Sequence, residues 1–183
     1  MLKRTMAVMI AITVAMVAGP VAAQTCTVGV YADATGSSNL IQPVEGVPYD
    51  FYVVLFTEDL ANAVSYKLVA PAGLIVIGQA YGPAGTGINI PTPNGDNVGL
   101  GECAVGFGGL PVVVTRYTAL PLAGDAPGSI SVTGNADEDA QFPVYSTCQG
   151  VLNTCESGAS LTVEGPVATD STSFGAVKHL YHD

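Results

Sequence analysis

Apolar residues recur at every second position along most of this chain, and clusters of Gly, Pro, Asn and Asp interrupt them every eight to twelve residues or so. From Ser129 to Thr133, Ile130 and Val132 fall on one face and Ser129, Ser131 and Thr133 on the other. Val64, Tyr66 and Leu68 alternate with Ser65 and Lys67, and Leu161 and Val163 flank Thr162, with Glu164 next. A period of two is the period of a strand with one dry face and one wet face. Two runs, "DFYVVLF" (50–56) and "PVVVTRYTAL" (111–120), are apolar on both faces, which predicts central strands covered from both sides. The segments "DATGSSN", "GPAGTG", "TPNGDN", "PLAGDAPG" and "TGNADEDA" supply the turn conformations that branched residues resist. Helical periodicity is almost absent. The pattern predicts an all-β antiparallel β-sandwich of about eight to ten strands, with an open barrel as the alternative architecture. The glycine-rich "NVGLGECAVGFGG" (97–109) predicts a bulge or a close approach of another backbone.

The two ends read differently. "MLKRTMAVMIAITVAMVAGPVAA" has a basic start at Lys3 and Arg4, an apolar core too short to span a bilayer, and small residues before Gln24, the pattern of a secretory signal peptide cut after Ala23. That divides the chain into a signal (1–23), a sandwich (24–166) and a tail (167–183). The expected location is secreted, periplasmic or on the cell surface. Without the signal, Lys67, Arg116 and Lys178 face fifteen carboxylates, a net charge of about −12 that makes nucleic acid and anionic membranes poor partners. In the tail, "STSFGAVKHLYHD" places Phe174, Val177, Leu180 and Tyr181 along one side of a short helix, a candidate surface for gripping either its own sandwich or a neighbour.

Cys26, Cys103, Cys148 and Cys155 are an even set in an exported chain and read as two disulfides. Of the three pairings that four cysteines allow, we favour Cys148 with Cys155, closing a short loop, and Cys26 with Cys103. No C-x-x-C pair is present, so zinc is disfavoured; His179 and His182 stand three apart in the tail with only Asp183 near them.

Catalytic motifs are missing. There is no G-x-S-x-G elbow and no phosphate loop, and a Ser-His-Asp triad would have to recruit a tail histidine. Glu102 and Glu164 are the acids read as strand residues, and a carbohydrate hydrolase would need two such carboxylates roughly 5 to 10 Å apart. That is the enzymatic alternative. Asn135, Asp137, Glu138 and Asp139 gather oxygen ligands in one loop and form a candidate calcium site, without the spacing of a helix–loop–helix calcium loop.

In order along the chain, "TVGVYADATG", "YDFYVVLF", "AVSYKLVAPAGLIVIGQA", "GLGECAVGF" and "LPVVVTRYTAL" resemble the layout of secreted cohesin-like or immunoglobulin-like sandwich modules. The order is also similar to that of uncharacterised exported bacterial proteins that open with a short G-[VI]-Y-x-D strand and close in an aromatic tail. The resemblance covers most of the chain after the signal and matches no catalytic or ligand motif. It implies a noncatalytic module that binds an extracellular protein or cell-surface component. A cohesin binds a calcium-loaded dockerin through one sheet face, and the sequence does not mark that face.

Overall fold

The structure is a computed structural model and describes residues 26–105, 110–138 and 140–168. The segments read as signal peptide and as tail helix lie outside these residues, apart from Val167 and Ala168. Thirteen strands are present among the described residues: β1 (Thr27–Tyr31), β2 (Leu40–Ile41), β3 (Tyr49–Phe56), β4 (Leu60–Val69), β5 (Ile75–Tyr81), β6 (Ile88–Thr92), β7 (Gly95–Val105), β8 (Pro111–Leu120), β9 (Gly128–Thr133), β10 (Val144–Thr147), β11 (Leu152–Thr154), β12 (Glu156–Ser157) and β13 (Leu161–Val163). This exceeds the expected eight to ten because β2, β11, β12 and β13 are only two or three residues long, too short to show a period. A 3-10 turn at Ala136–Glu138 is the one helical element among the described residues.

The strands form two sheets. One runs β12-β1-β3-β8-β5; in the other β4 is central, with β7 and then β6 on one side. Strand β4 also pairs with β10, which leads to β11, over Ala61–Ser65, and with β9, which leads to β13 and β2, over Lys67–Val69. The expected antiparallel arrangement is corrected at two edges, because β1 pairs with β12, and β13 with β2, in parallel. In each case a strand from the start of the chain meets one from its end, running the same way. The sheets are therefore mixed.

Alternation places the core where the sequence puts it. Val28, Val30, Phe51, Val53, Leu55, Val64, Tyr66, Val98, Leu100, Val114, Tyr117, Ile130 and Leu161 are buried between the sheets. The doubly apolar runs become β3 and β8, neighbours in the middle of the five-stranded sheet. The rings of Phe51 and Tyr117 stack there, with centroids 5.0 Å apart. A chain of phenols links the layers: the Tyr66 hydroxyl donates to Thr115 Oγ1 at 2.8 Å and lies 2.8 Å from the Tyr117 hydroxyl, which in turn is 3.4 Å from Asp96 Oδ2. Burial pushes both phenols well above the usual tyrosine range, and the nearby Asp96 carboxylate adds to this.

The glycine-rich stretch behaves as expected. Gly101 has a φ of +81° and is packed against Thr86, and the β4–β7 register shifts between Ala61 and Ala63.

The disulfides differ from the favoured pairing. Cys26 bonds Cys155 and Cys103 bonds Cys148, with Cα separations of 4.8 and 5.8 Å. The Cys148–Cys155 loop fails because the residues between them form the outgoing arm of the β10–β11 hairpin. Cys148 lies at its turn, whereas Cys155 is carried back to the level of Pro143, whose carbonyl accepts from its N–H.

After β1, Asp33 organises the loop to Ser38. Its carboxylate accepts from the backbone N–H of Thr35, Ser37 and Ser38 and from the Thr35 and Ser37 hydroxyls. These bonds, that of Thr35 foremost, hold it well below the usual carboxylate range. A carboxylate depressed in this way favours the ordered loop above about pH 4, and the contribution fades as pH falls through the native titration. Asp33→Ala is expected to speed amide hydrogen exchange at Thr35, Ser37 and Ser38 at neutral pH while leaving β1 protected.

Candidate docking face

The outer face of the larger sheet carries side chains that a strand pattern normally turns inward. In register across β6, β7, β4, β10 and β11, one row reads Ile88, Gly99, Ala63, Ser146, Leu152. The next row reads Ile90, Asn97, Ser65, Val144, Thr154. Small residues occupy the three middle strands of the first row, and branched aliphatic residues stand at both sides. The result is a trough of about 270 Å³. Its walls are exposed: Ile88 by 65%, Ile90 by 63% and Leu152 by 68%. Ser65 Oγ lies at the floor without a hydrogen-bond partner.

Local sequence explains the shape. Gly99 has no side chain, so Ile88 on the neighbouring strand folds over it, 3.4 Å from where a Cβ would stand. Asn89, between the two isoleucines, points the other way and donates to Asp96 at 2.7 Å, which fixes Ile88 and Ile90 outward. The Cys103–Cys148 disulfide joins β7 to the end of β10 past the start of β4, where Cys148 N–H donates to the Leu60 carbonyl, and so pins the floor at one end.

Comparisons with solved structures place this architecture, two of them at a TM-score above 0.5. CaCohA2 from Clostridium acetobutylicum aligns in its solution structure with a TM-score of 0.51 and 7% identity, over 78% of this chain and 92% of its own. In the CaDoc0917–CaCohA2 complex the values are 0.51 and 10%, over 76% and 99%. A cohesin module from a Clostridium perfringens family 33 glycoside hydrolase gives 0.49 and 10%, over 78% and 98%. The fold is cohesin-like. At these identities the likeness concerns the fold alone. No protein-family model matches the sequence, and no curated protein matches it.

On this cohesin-like frame the sequence-derived candidates fall in different places. Glu102 is an exposed residue of β7 near the disulfide, while Glu164 directly follows β13 rather than lying within it. Ala104 pairs with Ala61 at the start of β4; Val163 pairs with Gly128, beyond the other end of β4. The two acids thus stand near opposite ends of the sandwich, by strand rise about 30 Å apart, far outside the separation a glycosidase needs. Glu164 does share a recess with Asp125, but that recess is about 30 Å³, room for a water or two. Asp125 there caps a turn, accepting from the Leu122 N–H at 2.7 Å.

In the acidic loop, Asn135 is fully buried. Its Oδ1 accepts from the Asp137 N–H at 3.1 Å, and its amide faces Thr92 and Asn97. Hydrogen bonds from Thr92 and Asn94 hold the exposed Asp137 carboxyl below the usual carboxylate range. Asp139 and the side chain of Glu138 lie outside the described residues, as do Phe174, Val177, Leu180, Tyr181, His179 and His182. Among the described residues no three of His, Cys, Asp and Glu cluster as a metal site, and no helix is long and apolar enough to cross a membrane.

The trough residues themselves escaped sequence reasoning. The signal was "INIPT", two isoleucines around an asparagine, where the less exposed member is the polar one.

Proposed function

We propose that this chain is a noncatalytic binding module working outside the cytoplasm, and that it docks a protein partner through the trough between Ile88, Ile90, Val144 and Leu152. The observation that carries the reading is an apolar, small-floored depression on the solvent side of a sheet whose other side already has a complete core. Exposed aliphatic walls of this kind lower stability and solubility unless something covers them. Two disulfides suit an oxidising compartment. The cohesin-like frame supports the reading, since CaCohA2 was solved bound to CaDoc0917.

The test is capture from the producing cell's exported proteins by the chain from Gln24, beside Ile90→Asp and Leu152→Asp. Both positions are exposed, so the variants should melt within about 0.5 kcal/mol of the parent. Each should weaken retention of the captured partner at least tenfold, as a charge set into an apolar contact does. Retention unchanged in both variants moves the binding surface elsewhere.

A further inference from the structure

We propose that the occupant of the trough is the C-terminal segment, 171–183, of a second copy of this chain, so that copies associate head to tail. The inference rests on the reading of the trough as the docking face and names what fills it.

The trough has the width of one helix. Four strand spacings separate Ile88 on β6 from Leu152 on β11, about 19 Å, and three separate Ile90 from Val144, about 14 Å. An α-helix with its side chains is about 10–12 Å across. Gly99, Ala63 and Ser146 lower the middle of the floor, so a helix lying along the strands would seat its apolar side between the aliphatic walls. Phe174, Val177, Leu180 and Tyr181 supply such a side at helical spacing. Lys178 among them is balanced by Asp183, so the segment is close to neutral and its apolar side is what fits the trough.

Where the described residues leave the sandwich decides between the same copy and another. Val163 pairs with Gly128, while Ser131 on that same strand pairs with Val69. Val163 is therefore about 10 Å beyond the Val69 end of β4, and the trough centre, between Ala63 and Ser65, is about 17 Å on the other side of Val69. Val167 is still held at that far end, bridged to Val44 and donating its N–H to the Pro43 carbonyl. From Val167 to Phe174 is seven residues, about 24 Å at full extension and less if any of it is helical. That is shorter than the roughly 27 Å along the strands alone, before the chain has rounded the edge of the sheet. Phe174 falls short of the trough centre of its own molecule, so the whole apolar side from Phe174 to Tyr181 can be seated together only in the trough of a neighbour. A trough and a tail on different parts of one surface make a heterologous contact, which propagates rather than closing as a two-fold dimer.

Full chains from Gln24 provide the test by sedimentation. The parent should self-associate with rising concentration, while a trough variant, Ile90→Asp, and a tail variant, Leu180→Asp, should each sediment as monomers. Mixed in equal amounts, the two should form a 1:1 dimer and nothing larger, because the tail variant keeps a good trough and the trough variant a good tail. A parent that stays monomeric, a Leu180→Asp chain that still self-associates, or a mixture that fails to dimerise would each overturn the inference. Capture of a foreign partner that Ile90→Asp abolishes and Leu180→Asp spares, with a monomeric parent, leaves the docking face standing and removes only the tail as its occupant.

Discussion

Replacing Cys26 and Cys155 together by alanine should cost about 4 to 5 kcal/mol of stability, read as a drop in the urea midpoint. The bond closes a separation of 129 residues, and on the chain-entropy account a link of that span removes about 5 kcal/mol of freedom from the unfolded chain. The native side of the balance points the same way. The bond sits at the mouth of the β1–β12 pairing, which consists of two residue pairs, Thr27 with Glu156 and Val28 with Ser157. Past β12 the chain stays on β1, the Gly158 N–H donating to the Val28 carbonyl and the Val30 N–H to the Ala159 carbonyl. Against a typical total of 5 to 15 kcal/mol, this loss leaves a marginal protein. The Cys103–Cys148 link, with a separation of 45, should be worth about 4 kcal/mol by the same account. The two variants should part in function: loss of Cys26–Cys155 reaches the trough only at its rim, through Thr154 beside Cys155, whereas loss of Cys103–Cys148 frees β7 from β10 and weakens docking more strongly. Equal docking by both variants would show that the disulfide does not shape the floor.

Above about pH 10 the protein should lose stability steeply. Tyr66 and Tyr117 are buried between the sheets, and burial raises both above the value of about 10 they have when unfolded. The unfolded chain therefore releases two protons that the native state retains. For an acid whose native pKa is raised, the contribution is intact below the unfolded value and drains away as pH climbs toward the native one. Two such groups give a slope of about 2.7 kcal/mol per pH unit. Urea midpoints taken between about pH 9 and 12 check this, together with phenolate absorbance, which should rise for these two residues only as the fold is lost. In Tyr66→Phe/Tyr117→Phe the slope should flatten, at an initial cost of about 1 to 3 kcal/mol for the hydroxyl partners left behind at Thr115 and Asp96. An unchanged slope in the double variant would assign alkaline unfolding to other groups.

The sandwich was legible because burial follows alternation in most strands of five residues or more. Ile130 and Val132 on β9 and the double-sided β3 and β8 all sit as their spacing predicts. What alternation cannot supply is direction and partner. Strands of two or three residues have no period to read, and a parallel neighbour leaves the same local pattern as an antiparallel one, so β2, β12 and the mixed character of the sheets were hidden. The disulfide pairing was hidden for the same reason: it depends on which edge strand β12 joins. At the trough the rule inverts. Asn89 turns inward because Asp96 waits there to accept its amide proton, and that partner, seven residues away, decides which face the isoleucines take.

The parallel pairing of β1 with β12 has a kinetic side. The first strand can meet β3 early, but its other edge stays open until residues 156 and 157 arrive, and β2 likewise waits for β13. Contacts of such long range make folding slow, since the loop must close before the contact rewards it. A chain delivered from its N-terminus, through a pore or off a ribosome, cannot complete either sheet until almost all of it has emerged. Slow, late closure keeps such a chain threadable for as long as delivery lasts, and the bond between Cys26 and Cys155 then fixes the result only when both ends are on the same side.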